Sequence, residues 1–471
     1  MQNTAECFFA EEDMKQSGLI GNRQFYKKIL ALATPIVIQG SVTNIVSLLD
    51  NVMVGQLGTE QMSGVAIANQ LLSVYNFGIM GALAGIGIFT AQFYGKHDED
   101  GLCHTLRCKR VVGTVFTAMA ILVFVLWGRG MIDAYIRYAG SEGSALLAGS
   151  SAWEYLWIML LGLLPYTVGQ IYGTTLREVN RTVPAMAGSV TAVLLNLLLN
   201  YVFIFGKWGC PRLGVRGAAL ATVVSRFVEM LIVVVWAYLC DEPFIRRSWR
   251  RRRIPGALLR SMAVRTAPLL INETIYAASY AAIAQCLSTR GLAAIAASNI
   301  TTNITQLFNV ILYALGASLG IVVGNLLGAD RFDEARETNS RMIALAVAVC
   351  VVFAIILMPV SVWFPRLFNT TEEVWNMSGA MIRVVAYLLP IRGFTHLAYY
   401  TLRSGGRTML TLAFDGGYVT LIGLPVTYLL ATFTDLAAVP LFAVSLAAEL
   451  SKCVLAAVWI KKGVWVRNIV S

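Results

Sequence analysis

Apolar residues along the chain gather in long runs separated by short polar or Gly/Pro-marked breaks. A bilayer core of about 30 Å needs about 20 apolar residues per helix, with a usual range of about 17–25. Runs of that size lie near 29–54, 61–91, 111–136, 152–175, 184–205, 217–240, 262–287, 295–327, 342–364, 377–402, 409–430 and 439–460. The pattern predicts an all-α integral membrane protein with twelve transmembrane helices. The longest polar break, 241–261, is a basic linker that separates six spans from six. It divides the chain into an N-terminal arm (1–28), an N-lobe (29–240), the linker, a C-lobe (262–460) and a tail (461–471).

The two halves repeat. Pro35 and Pro268, Gly58 and Gly291, Gly87 and Gly320, and Gly95 and Gly328 pair at one constant separation. Further on, Leu176-Arg177 pairs with Leu402-Arg403, Thr182 with Thr408, and Glu229 with Glu449. Six spans return the chain to its starting side, so the repeats are parallel and form two pseudo-symmetric six-helix bundles. In that architecture a substrate site between the lobes near the midplane, exposed alternately by rocking, is expected. A channel is disfavoured, because neither a carbonyl-filter run nor a ring-forming charge motif is present.

Composition agrees. Of the 471 residues, 57% are hydrophobic and 13% charged, against about 45–50% and about 25% in soluble domains. The formal charge of +11 would suggest nucleic acid in a soluble protein. Here, 25 of the 37 Lys and Arg fall on one side of the spans, among them six arginines between 246 and 253. The positive-inside rule then puts both termini in the cytoplasm and the linker against anionic lipid. Residues 1–28 contain Glu6, Glu11, Glu12 and Asp13 and have no secretory signal pattern. Cys103 and Cys108 with His97 and His104 match no zinc spacing and read as buried thiols.

Several segments carry a resemblance. The first span and its exit read TPIVIQGSVTNIVSLLDNVMVGQLGTE; the fourth to sixth spans contain TTLREVNRTVP and LLNLLLNYVFIFGKWGCPRLGVRGAALATVVSR; the eleventh begins LRSGGRTMLTLAFDGGYVTLIGLP. In this order and spacing the chain resembles the multidrug and toxic compound extrusion (MATE) family of bacterial efflux transporters. The resemblance implies two six-helix bundles and export of cationic, amphipathic compounds driven by entry of H⁺ or Na⁺. Arg407 stands where the bacterial pattern usually has Asp.

Charged residues within spans are functional candidates, since an ionised Asp at a helix centre costs about 2.5–3.5 kcal/mol on insertion scales. At 100° per residue, Gln39, Thr43, Ser47 and Asp50 share a face of the first span. The resemblance implies that Asp50 works with Asn196 and Asn200 on the fifth span and Thr222 on the sixth; Asn200 replaces a carboxylate that some branches carry. The Asn pair, one turn apart, either serves that ion site or only bonds neighbouring helices. On the seventh span Glu273, Tyr276 and Tyr280 align, an acid beside two rings that suits lipophilic cations; the other reading is a Glu satisfied by amides of the eighth span. Asn299, Asn303, Gln306 and Tyr313 form a polar stripe on the eighth span, Tyr166, Gln170 and Arg177 line the fourth after Pro165, and Arg392, His396 and Arg403 the tenth after Pro390. The resemblance places an acid on the tenth span in one branch, where this chain offers Arg392 and His396. His396 serves either as a proton relay or as a structural histidine.

The expected function is therefore secondary active export of small organic cations, with Asp50, Glu273, Asn196, Asn200 and Thr222 coupling the ion. A different reading is a flippase for anionic, lipid-linked phosphates clamped by Arg392, Arg383 and Arg265. No nucleophile, metal-ligand or nucleotide-loop pattern points to an enzyme or to direct ATP drive. Apart from a sodium ion that Asp50, Asn196 and Asn200 could hold, no metal or cofactor is expected. Membrane lipids are partners, nucleic acid and nucleotide are not, and a monomer in a bacterial inner membrane is expected.

Overall fold

The computed structural model describes residues 21–136, 142–240, 242–250, 253–447 and 450–471. The arm up to residue 20, Arg137, Arg251, Arg252 and Glu449 lie outside the described residues. The described chain is helical, with no strand among the described residues. The first half holds α1 (Arg23–Gly55), α2 (Thr59–Gly95), α3 (Glu99–Ile136), α4 (Glu142–Leu161), α5 (Leu163–Glu178), α6 (Val183–Phe205) and α7 (Val215–Leu239). A short α8 (Pro243–Arg247) follows in the linker. The second half holds α9 (Gly256–Ser288), α10 (Leu292–Gly328), α11 (Phe332–Trp363), α12 (Glu372–Ser404), α13 (Thr408–Leu412), α14 (Leu424–Phe433), α15 (Ala438–Ala447) and α16 (Leu450–Lys461).

Among the described residues, ten helices are long and apolar enough to cross a membrane, and α4 with α5, bent by 49°, makes an eleventh. The bend falls at Gly162, three residues before Pro165, a pair that weakens helix continuity there. The twelfth is α9. Its 33 residues exceed the length needed, but Arg260, Arg265, Asn272 and Glu273 reduce its apolarity. The span 408–433 is irregular: between α13 and α14 the backbone makes π-helical turns at Ala413–Gly417 and Val419–Gly423.

The sequence repeat is a repeat of structure. Helices α1 and α9 both have 33 residues and an internal proline, Pro35 or Pro268; α2 and α10 both have 37. The paired glycines have a packing reason. A Cβ on Gly95 would stand 1.8 Å from the Asn325 carbonyl oxygen, and one on Gly328 1.9 Å from that of Gln92. Gln92 and Asn325 are themselves repeat equivalents, so the ends of α2 and α10 cross backbone to backbone with two-fold reciprocity that only glycine permits.

The chain divides into two compact units. One comprises residues up to Val37, Ala91–His97 and Ala267–Ser471; the other comprises Ile38–Thr90 and Asp98–Thr266. The division runs inside α1 and α2. The start of α1 stays with α10 and α12 because Ile29, Leu32 and Ala33 pack with Leu319, Val323, Leu397 and Leu402, each at most 3% exposed. The tail joins the same unit: Trp465 is fully buried, the Gln92 amide donates to the carbonyls of Ser404 and Arg467, and the Ile469 N–H donates to Gln92 Oε1.

In the second unit, Tyr75 of α2 shares hydrogen bonds with Thr117 of α3 (2.9 Å) and Thr167 of α5. Lys109 of α3 is fully buried and pairs with Glu178 of α5, donating also to Thr174 and Thr175. Linker α8 is docked rather than loose. Phe244 and Ile245 are buried, Cys103 Sγ donates to the Phe244 carbonyl, and Arg107 and Arg110 donate to the Ser248 carbonyl, each at 2.7 Å. Glu242, ahead of α8, pairs with Arg181 at 3.5 Å; burial raises its carboxyl above the ordinary value, with Arg181 opposing the shift.

Candidate functional site

Two polar clusters lie within the membrane helices, one in each unit. The first is built from α1, α6 and α7. Asn196 and Asn200, at i and i+4, project from one face of α6 and are buried. Asn200 Nδ2 donates to Asp50 Oδ1 at 2.8 Å and to Asn196 Oδ1 at 3.2 Å, and Asn196 Nδ2 donates to Thr222 Oγ1 at 3.2 Å. Tyr155 of α4 joins through Thr222 and Asn69. Asp50, Asn200, Asn196 and Thr222 thus form one hydrogen-bonded chain of hard oxygens and amides around a single carboxylate. On the same face of α1, Gln39 and Thr43 are half-buried and Ser47 is exposed; the Thr43 hydroxyl donates to the Gln39 carbonyl at 2.8 Å.

The second cluster centres on α9 and α12. Tyr399 Oη donates to Glu273 Oε1 at 3.1 Å. Arg403, one turn along α12, bonds Tyr399 and lies within electrostatic reach of Glu273. Beside them, Asn272 Nδ2 donates to Asp415 Oδ2 at 3.2 Å, and Lys452 Nζ donates to Asp415 Oδ1 at 3.3 Å. The Gly416 N–H donates to Asn272 Oδ1 at 2.8 Å, inside the first π-helical turn. Such turns open a helix ladder and are frequent at functional sites. Two carboxylates and two cations therefore share this buried region, and each acid has a hydrogen-bonded partner, as burial of charge requires.

Tyr276 and Tyr280 pack against each other with ring centroids 4.7 Å apart. Tyr399 of α12, which sequence reasoning missed, and Arg403, which it set on the tenth-span stripe, are brought to Glu273 instead. A signal for Arg403 existed in the repeated Leu-Arg pair. Its equivalent, Arg177, lies within electrostatic reach of another buried acid, Glu229. Tyr166 has its ring face occupied, with the Arg226 guanidinium 4.9 Å from the centroid; Gln170 lies one turn further along α5, half-buried. On α10, Asn299, Asn303, Gln306 and Tyr313 all lie on an exposed face. The exposed face of α11 is by contrast Val351, Val352, Ile355 and Ile356, so the α10 stripe has the composition of a water-lining surface.

His396 is held edge-on between Tyr313 and Tyr400, with centroids at 5.0 and 5.3 Å. Arg392 is half-buried near Tyr313 and Cys350. Nine residues separate Arg383 from Arg392, which at about 100° per residue sets them on opposite sides of α12. Arg265 bonds Ser261 and lies over Phe89. Arg383 and Arg392 therefore do not face one clamp.

Residues 35–202 and 268–429 match the family model MatE. Both matched stretches begin at the paired prolines, Pro35 and Pro268. The chain belongs to the MATE family. Proteins of this family are transporters, so the chain is a multi-pass membrane transporter and not an enzyme. This MATE transporter is similar to the probable multidrug resistance protein NorM of Halalkalibacterium halodurans, 25% identical over 92% of this chain and 93% of that one. It is similar also to the multidrug resistance protein MdtK of Edwardsiella ictaluri, 25% identical over 86% and 87%. Its fold matches the Vibrio cholerae MATE transporter VcmN with a TM-score of 0.84 at 18% identity, covering 94% of this chain and 98% of that one.

Proposed function

We propose that this MATE transporter is a multidrug exporter of the bacterial inner membrane that expels cationic, amphipathic compounds in exchange for H⁺ or Na⁺. The NorM and MdtK relatives, named for multidrug resistance, support the substrate class. The observation that carries the coupling is the chain from Asp50 through Asn200 and Asn196 to Thr222. A carboxylate held by amides and a hydroxyl offers a proton one basic site and offers sodium several oxygens, the ligand type hard cations take.

An incoming ion neutralises Asp50 and, through rearrangement of helices α1, α6 and α7, favours release of the cation outside. Glu273, bonded to Tyr399 and balanced by Arg403, attracts the positive end of the cargo, and the polar face of α10 keeps its path wet. The parallel repeat supports alternating access as the mode of transport.

The test is flux in proteoliposomes with ΔpH and ΔNa⁺ imposed separately on a panel of cationic and anionic compounds. Cationic dyes are expected to move against at least one imposed ion gradient, and Asp50→Asn to remove that dependence. Movement of anionic compounds alone, abolished by Arg392→Ala and untouched by Asp50→Asn, would overturn the reading in favour of the flippase.

A further inference from the structure

A polar pocket away from both clusters lies where α11 meets α12. It has a volume of about 290 Å³ and is lined by Arg366, Glu372, Trp375, Asn376, Gly379 and Arg383, among others. That is close to the lower end of small-ligand sites, about 300 Å³. The pocket is built by helix register: 372, 375, 376, 379 and 383 follow the spacing of one α12 face. Gly379 lets α11 approach, since a Cβ there would stand 2.7 Å from the Ser361 carbonyl oxygen. The Trp375 indole donates to the Phe368 carbonyl at 2.9 Å, fixing the wall.

Arg383 is the anomaly. It is eleven residues into α12, about 16 Å along the axis, well inside the predicted span 377–402. An arginine at that depth needs a partner or a route to the membrane surface. Side chains tilt toward the helix N-terminus, so Arg383 snorkels toward the Glu372 end, where Arg366 waits in the turn at Pro365–Leu367. Among the described residues, the side chains of Arg366, Arg383 and Glu372, all exposed, make no hydrogen bond or ion pair to protein. Two arginine forks and one carboxylate thus face a common space at the membrane boundary, unsatisfied by protein.

We propose that this pocket binds the headgroup of an amine-bearing phospholipid of the phosphatidylethanolamine type. The arginines take the phosphate through paired N–H donors, a geometry guanidinium groups suit, and Glu372 takes the ammonium. Trp375, three residues into α12, is of the residue type that anchors at lipid headgroups. A purely anionic headgroup would leave Glu372 facing like charge, so the charge pattern favours the zwitterion. The assignment does not depend on what the transporter exports.

Native mass spectrometry of the detergent-purified full chain tests it, with phosphatidylethanolamine or phosphatidylglycerol added, each with and without millimolar inorganic phosphate. The expected result is retention of phosphatidylethanolamine over phosphatidylglycerol, undisturbed by phosphate. The Arg366→Ala/Arg383→Ala variant should lose retention by about tenfold or more, as loss of charge-assisted bonds implies. Glu372→Gln should remove the preference between the two lipids. Should the double Ala variant not fold, Arg366→Lys/Arg383→Lys keeps the charge, loses the fork and is expected to bind at an intermediate level. Equal retention by wild type and variants, or no retention of either lipid by the wild type, overturns the site. Preference for phosphatidylglycerol overturns the headgroup, and displacement by inorganic phosphate overturns the lipid in favour of a free anion.

Discussion

Asp50→Asn separates the ion-coupling role proposed for this residue from its structural one. Asn200, 2% exposed, donates through Nδ2 to Asp50 Oδ1 and to Asn196 Oδ1. An amide at position 50 presents a carbonyl oxygen where the carboxylate stood, so the network keeps its geometry and loses only the charge. The difference between a charge-assisted and a neutral hydrogen bond is about 1 kcal/mol, which sets the stability change expected for Asp50→Asn. Asp50→Ala instead strands a buried amide hydrogen, at about 1–3 kcal/mol. The functional magnitude is larger. Exchange of one H⁺ or Na⁺ for one monovalent cation moves no net charge, so the imposed ion ratio sets the limit: a ratio of about 100, worth about 2.8 kcal/mol at about 1.4 kcal/mol per tenfold, supports a dye gradient of about 100-fold. The assay loads proteoliposomes with a fluorescent monovalent cation, holds the potential at zero, applies ΔpH or ΔNa⁺ in separate runs, and follows thermal unfolding of the same preparations. Asp50→Asn is expected to unfold close to wild type while its ion-driven dye gradient collapses to the passive level. A variant that still builds the wild-type gradient refutes the coupling role, and one that loses transport and stability together, as Asp50→Ala should, makes Asp50 a structural residue.

Three further outcomes follow from the packing. Glu273→Gln should keep the Tyr399 hydrogen bond and fold, but raise the half-saturating concentration of a monovalent cationic dye in efflux assays; unchanged saturation would remove Glu273 from cargo attraction. Lys109→Met strands the Glu178 carboxylate in the α3–α5 interior and should destabilise the protein by about 3–5 kcal/mol, whereas Lys109→Met with Glu178→Met should recover most of that loss. Thermal unfolding in detergent reads both, and equal damage from single and double variants would deny the pair its buried character. Gly328→Val and Gly95→Val should each abolish insertion of folded protein, because the added side chain meets backbone at under 2 Å; a folded, active variant of either kind would contradict the reciprocal crossing of α2 and α10.

The two acids are not repeat equivalents. Applying the constant offset of the paired prolines, Asp50 corresponds to Ile283 and Glu273 to Gly40, ten residues apart, or about 15 Å of helix. Duplication made the scaffold symmetric, and the polar substitutions then fell at different positions along the repeated helix. This division suits an exporter in which one acid meets the ion and the other the cargo.

Much of this was written locally in the chain. Helix number, the parallel repeat, the proline positions and the alignment of Asn196 with Asn200 depend on hydrophobic run length, on residue spacing and on the 100° turn per residue, all of which survive in one dimension. The first cluster was legible through the family resemblance, which joins Asp50 and Thr222 to the Asn196–Asn200 pair; spacing by itself gave only the shared face of that pair. The second cluster was only half legible. Glu273 stood out as a charge in an apolar run, but Tyr399, Arg403, Asn272 and the Lys452–Asp415 pair became its neighbours through the packing of α9 against α12 and the π-helical turns at Asp415. Tyr166 shows the converse, since spacing gave it a cavity face and the tertiary structure filled that face with Arg226. Periodicity states which side chains share a face of one helix; which faces meet is decided by close backbone approach, as at Gly95 and Gly328, and by the need of every buried charge to find its partner across the chain.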